Sequence, residues 1–288
     1  MDIIPESKTP IVTTNIETKP AQPPKKQPYT ALLKVAALPL ALIVLIILAV
    51  SYKSQDSLPG TTLYPIKVHF VEPTISLTKL TSDDRSSYNI HRMTSRLEEL
   101  KVLAQDNATT SPDTLASMGR LIDSYTDDAL VALNEDSSLS YEARIRGLSQ
   151  LTNVSQAQET LIRSRAEFST IEEVLGNVQS KVTTALETSV QTFASSSDAE
   201  TVSAFLSEQV QEVGASLNEI AAGSNAQKQA IARIQNANED IVDGNYPRAI
   251  IWILRARQSI SVDAFLFDSE RGPVEGTVLP DTVIPEGN

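Results

Sequence analysis

Cysteine is absent from the 288 residues. Without it there is no disulfide, no thiolate nucleophile, no cysteine-ligated zinc and no iron–sulfur centre. Histidine is scarce: His69 and His91 are the only two. A metal site built on either would need carboxylates supplied by the fold, so both read as surface or structural groups and no metal or cofactor is expected. Glu-x-x-His, G-x-S-x-G and P-loop patterns are missing, and no catalytic residue can be named. A non-enzymatic protein is therefore expected. A basic surplus is lacking as well. The net charge is −12, and the residues after position 53 carry −15 of their own because residues 1–53 hold +3. Nucleic acid, which needs a basic face, is not an expected partner. Aromatics amount to only 5%. Ala, Ser, Leu, Val and Gln are plentiful instead, the composition of long helices packed through small and aliphatic side chains.

Long apolar runs are few, and the one from Val35 to Val50 is distinctive. Between Lys34 and Lys53 lie 18 residues without charge, close to the roughly 20 needed to span a bilayer. Ala31, Leu32 and Leu33 extend it, and Tyr29 and Tyr52 stand at its ends, where aromatic rings favour the interface. Pro39 is tolerated in such a helix. The pattern predicts a transmembrane helix over 31–53. A cleaved signal peptide fits less well, because the run is too long and follows 34 residues; a signal-anchor is expected. Lys19, Lys25, Lys26 and Lys34 precede the run, whereas Lys53 beside Asp56 follows it. The positive-inside rule then places the N-terminus in the cytoplasm and the bulk of the chain outside it, in the cell membrane's exterior compartment.

Residues 1–30 are Pro-rich and polar, a disordered cytoplasmic tail in expectation. Residues 271–288 carry breakers and no apolar stripe, a second disordered tail. Between them, residues 54–270 read as one extracytoplasmic helical domain. Pro73 should interrupt or end a first short helix starting near Pro65. Thr81 opens a helix with the stripe Ile90, Met93, Leu97 and Leu100. Ser111-Pro112 opens another with Leu115, Met118, Tyr125 and Leu133. A helix from about Ser140 carries Ile145, Leu148, Leu151 and Val154, and either runs on or breaks near Ser169. Ser197-Asp-Ala-Glu200 reads as a capping box before Val202, Phe205 and Leu206. Gly223 to Asn225 weaken the next stretch, and Asp243-Gly-Asn-Tyr-Pro247 is a sharp turn inside a terminal helical hairpin, 225–268. No strand-like alternation is sustained. The fold class expected is all-α: a single N-terminal transmembrane helix followed by an antiparallel or elongated bundle of five or six helices.

Leu58-Pro59-Gly60-x-x-Leu63-Tyr64-Pro65-x-Lys67, followed by Glu72, marks the start of the folded part. Pro and Gly signal a turn, and Pro65 suits the first turn of a helix. Tyr64 is expected to anchor the turn against that first helix. Arg96-Leu97-Glu98-Glu99-Leu100 follows at a distance. Together these resemble the opening of an uncharacterised extracytoplasmic helical domain family. That family follows a single membrane helix in some actinobacterial anti-sigma factors and occurs in membrane proteins of poorly cultured bacteria. The resemblance covers about residues 56–105, and it implies an exterior helical domain. The anti-sigma members carry a sigma-binding domain before the helix, whereas here a short Pro-rich tail stands there. Sigma-factor binding is not implied.

The adjacent acid pairs Asp83-Asp84, Glu98-Glu99, Asp127-Asp128, Glu172-Glu173 and Glu239-Asp240 read as solvated faces, since neighbours on a helix point about 100° apart. Asn107 and Asn153 stand in glycosylation sequons. Trp252 is expected to fill the core of the terminal hairpin. The functional expectation is a membrane-anchored interaction or scaffolding domain whose long stripes suit coiled-coil pairing or helix-in-groove recognition. Its partners would be another envelope protein or a second copy. The alternative is an anti-sigma-like sensory protein that passes a signal through the transmembrane helix.

Overall fold

Five helix starts coincide with a side-chain oxygen that caps them. In the computed structural model the described residues are 53–54, 57–105, 110–135, 139–163, 166–218 and 220–267. They belong to one compact unit, 50–288. A composite helix, α1, runs through Tyr64–Ile66, a π-helical stretch Lys67–Val71 and Glu72–Ser76. Then come α2 (Ser82–Gln105), α3 (Pro112–Glu135), α4 (Tyr141–Arg163), α5 (Ser169–Ser196), α6 (Ala199–Leu217), α7 (Asn225–Val242) and α8 (Tyr246–Phe267). The Thr81, Ser111 and Ser140 hydroxyls accept from the backbone N–H groups of Asp84, Thr114 and Ala143 at 3.1, 3.1 and 3.2 Å. Ser224 does the same for Gln227 at 3.1 Å. A Ser or Thr cap of this kind contributes about 1 kcal/mol.

The all-α expectation holds: among the described residues there are eight helices and no strand. The expected five or six helices were too few, because both ambiguous breaks are real. A 3-10 turn, Ala166–Phe168, separates α4 from α5, and Gly223, at φ +75°, sits just before α7. The capping box at Ser197 is displaced by one residue: Asp198 is the cap, accepting from Thr201 N–H at 2.7 Å. Pro73 does not end its helix, which continues to Ser76. Proline disrupts a helix by withholding its N–H and crowding the preceding turn. Here the irregularity is taken up just upstream, where the Glu72 N–H bonds back to the Lys67 carbonyl in π fashion.

Helices α2 to α5 pack as a four-helix group, with α2 and α5 each touching α3 and α4. Helix α8 organises the remainder, packing on α4, α5, α6 and α7. Two apolar clusters result. One joins Met93, Leu100, Met118, Ile122, Leu151 and Val178. The other joins Ile145, Val190, Phe193, Phe205, Ile234 and Ile253. Leu130 touches both, and α4 and α5 run through both. The Phe193 and Phe205 rings meet edge-on with centroids 5.3 Å apart, a geometry worth about 1 kcal/mol beyond its buried area. Between α7 and α8, Gly244 at φ +74° closes a Schellman motif: Gly244 N–H reaches the Ile241 carbonyl and Asn245 N–H the Asp240 carbonyl. So short a turn makes the terminal pair antiparallel.

The apolar run, the Pro-rich N-terminal tail, the C-terminal tail and the Asn107 sequon lie outside the described residues. Among the described residues no helix is long and apolar enough to cross a membrane.

Candidate functional site

Leu58 to Lys67 resolve into a turn and a helix start. Thr61 N–H donates to the Leu58 carbonyl at 3.1 Å, with Gly60 at φ +89°. Pro59 and Gly60 thus occupy the two central positions of a type II turn, which requires a positive φ at the second. Leu63 is the cap of α1, and Pro65 stands in its first turn, where its missing N–H leaves nothing unsatisfied. Tyr64, Lys67 and Glu72 are thereby presented to α2.

Helix α2 answers with a polar stripe. Asn89, Arg92, Arg96 and Glu99 recur at spacings of three and four beside the apolar stripe Ile90, Met93, Leu97 and Leu100. Arg96, wholly buried at 0% exposure, is the centre. Its Nη2 donates to Glu72 Oε1 at 2.6 Å and lies 3.1 Å from Glu99 Oε1. Its Nη1 donates to the Tyr64 hydroxyl, which in turn donates to Glu99 Oε2 at 3.0 Å. Lys67 Nζ closes the ring on Glu99 Oε1 at 2.7 Å. On the other side Glu72 Oε2 accepts from Tyr125 Oη of α3 at 2.6 Å and from Arg92 Nε at 3.4 Å. Arg92 stacks on the Tyr125 ring, 3.4 Å from its centroid, and bonds Asn89 Oδ1 at 3.0 Å. Tyr88 Oη donates to the Glu72 carbonyl at 3.0 Å.

Three cations face two buried carboxylates, and Asp128 supplies a third acid 3.9 Å from Arg92 at the exposed edge. Burial pushes the Glu99 carboxyl above its usual range, although Arg96 and Lys67 oppose this. Burial alone would lower the Arg96 pKa, but Glu99, Tyr64 and Glu72 outweigh it and hold the guanidinium above its usual value. Burial also raises Tyr64, Tyr88 and Tyr125 above the ordinary phenol range, with the charges of Arg96 and Arg92 opposing. The arrangement holds charge still, and chemically it is a clamp between α1, α2 and α3.

Of the motif residues, Tyr64 and Lys67 enter the clamp directly. Leu58, Pro59, Gly60, Leu63 and Pro65 shape the turn and helix start that deliver them. Tyr64 is tied to α2 rather than to its own helix. Glu99 corrects the solvated reading of Glu98-Glu99: its side chain is 6% exposed, against 55% for Glu98. Asp240 is buried too, with Arg248 Nε at 3.2 Å. Arg92 and Tyr125 went unrecognised as polar partners; the three-and-four spacing of 89, 92, 96 and 99 was the available signal. His69 and His91 are both exposed. Among the described residues no three His, Asp or Glu side chains gather as a metal site would require. Asn153, though in a sequon, is only 6% exposed. Trp252 is half-buried and lines a crevice against α4 and α5 as well as packing on the core. Comparison with protein-family models, with curated proteins and with solved structures finds no match for this chain.

Proposed function

We propose that the chain is a single-pass membrane protein whose extracytoplasmic helical domain serves interaction or scaffolding. The observation that carries this reading is the 18-residue uncharged run between Lys34 and Lys53, with its lysine excess on the N-terminal side. The clamp supports it. The segment that follows the run is fastened to α2 and α3 by buried, charge-assisted hydrogen bonds. A pull that reaches Leu58 to Lys67 is therefore resisted by the bundle. The resemblance of Leu58 to Glu72 to the exterior helical domain that follows a membrane helix in actinobacterial and other bacterial proteins points the same way.

An interaction role draws on the surface beside the clamp. Phe70, Leu77 and Leu80 are 69%, 83% and 81% exposed on or just after α1, while a groove of about 470 Å³ borders Tyr64, Val68 and Leu121. Large apolar side chains left this exposed within eleven residues of sequence suit a contact surface. A photoreactive amino acid placed at Leu77 or Leu80 in cells tests the reading. An adduct with a membrane or exterior protein, or with a second copy of this chain, is expected. Adducts confined to cytosolic proteins would overturn it in favour of a regulatory protein facing the cytoplasm.

A further inference from the structure

A second polar cluster lies away from the clamp, in a crevice where α4, α5, α7 and α8 meet. It encloses a cavity of about 320 Å³ lined by Thr152, Asn153, Gln179, Arg233, Trp252 and Gln258, among others. That volume is at the lower end of small-molecule pockets, which run from about 300 Å³ upward. Amides and hydroxyls line the cavity beside Leu186, Ile251 and Leu254, and the charged Glu187 and Arg255 stand at it as well.

Several of these groups lack partners within the protein. Asn153 Nδ2 donates to Ser261 Oγ at 3.3 Å, but its Oδ1 is buried with no donor. Turning the amide over leaves one atom orphaned all the same. Trp252 Nε1 is buried without an acceptor. A buried polar atom left unpaired loses about 1–3 kcal/mol, so two at one cavity invite a third party. Two cations of the crevice, Arg233 and Arg255, face one carboxylate, Glu187. Arg255 is neutralised by Glu187, 3.0 Å away. Arg233 is not: its Nη1 donates to the Arg255 carbonyl and to Ser259 Oγ, and among the described residues no carboxylate pairs with it. Burial and the nearby Arg255 both press its pKa downward. A second depression of about 460 Å³, which Asp263 also lines, shares Gln156, Arg233 and Gln258 with the first, so Arg233 borders both.

We propose that this crevice binds a small carboxylate-bearing molecule of amino-acid or sugar-acid size. Its carboxylate is held by Arg233, its hydroxyl or ammonium donates to Asn153 Oδ1, and Trp252 Nε1–H donates to one of its oxygens. A carboxylate supplies the missing negative charge, accepts from guanidinium in the geometry such groups favour, and brings donors to the Asn153 oxygen. The site stands on the described helices alone and does not depend on the membrane reading.

Trp252 is the only tryptophan of the chain, so its emission reports on the cavity directly. The full-length protein in detergent is titrated with L-glutamate and with D-glucuronate, and with L-glutamine and D-glucose as their uncharged counterparts. A saturable emission change with one carboxylate is expected, at least about tenfold weaker for its neutral counterpart. The response identifies the source as amino acid or sugar acid. Arg233→Gln weakens it about tenfold or more, and so does Asn153→Asp, which sets an anion of equal size in the cavity. The proposal is overturned if neither carboxylate gives a saturable change up to about 10 mM. It is also overturned if neutral and charged probes act alike, or if both folded variants respond as the parent does.

Discussion

Arg96 Nη2 lies 2.6 Å from Glu72 Oε1, and the arginine side chain has no exposed surface. The contact joins α1 to α2 across 24 positions of sequence. Removing one member of such a pair strands the other charge in a poorly solvated place, at a cost of about 3–5 kcal/mol. Arg96→Met and Glu72→Gln should each lower the urea-unfolding free energy by about that much. The double variant should fall short of their sum, since the two share one interaction. Additive losses would show that the two side chains act independently.

Surface pairs should behave differently. Lys181 contacts Asp123 and Asp127 at 2.8 and 3.0 Å, but is 42% exposed. Lys181→Ala should change the unfolding free energy by less than about 1 kcal/mol. A loss as large as that of Arg96→Met would contradict the distinction between clamp and surface.

Three of the seven tyrosines, Tyr64, Tyr88 and Tyr125, have pKa values raised first of all by burial. The folded state therefore holds these protons more tightly than the unfolded chain does. The stabilisation is complete below the ordinary tyrosine pKa near 10 and is lost as pH climbs beyond it. Absorbance at 295 nm should rise in two stages, the later one coinciding with loss of helical circular dichroism. Tyr64→Phe and Tyr125→Phe should shrink the later stage. A single smooth step of all tyrosines near pH 10 would count against the clamp.

Two glycines should respond with opposite sign. At Gly60, φ is +89° and an added Cβ would meet only Thr114 Oγ1, 4.0 Å away. The penalty for Gly60→Ala is thus one of backbone conformation, about 1–2 kcal/mol. At Gly176, inside α5, an added Cβ meets nothing within 4 Å. Gly176→Ala should stabilise by about 0.5–1 kcal/mol. Thermal denaturation of the two variants measures both.

The stripes were legible because apolar residues at three-and-four spacing have one use in a helix. Met93, Leu97 and Leu100 are fully buried where the period placed them. Ser111 caps α3 as its Ser-Pro sequence suggests. The clamp was only half legible. Tyr64, Lys67 and Glu72 stood out by their fixed spacing, but the Glu98-Glu99 pair looked uniformly solvated. A helix turns 100° per residue, so Glu98 faces water while Glu99 faces Tyr64. Tyr125 was hidden by its own amphipathicity: its ring belongs to the apolar stripe, and its hydroxyl crosses to Glu72. The Asn153 crevice left no mark in sequence, because its walls come from four helices that only packing brings together.

Membrane topology tests the central claim most directly. The chain has no cysteine, so Thr14→Cys and Ala222→Cys each introduce a single thiol, the latter at an exposed position before α7. Whole cells are treated with a membrane-impermeant maleimide. Labelling of Ala222→Cys alone is predicted, with Thr14→Cys reacting only after the cells are opened. Labelling of Thr14→Cys alone would place the helical domain in the cytoplasm and contradict the account.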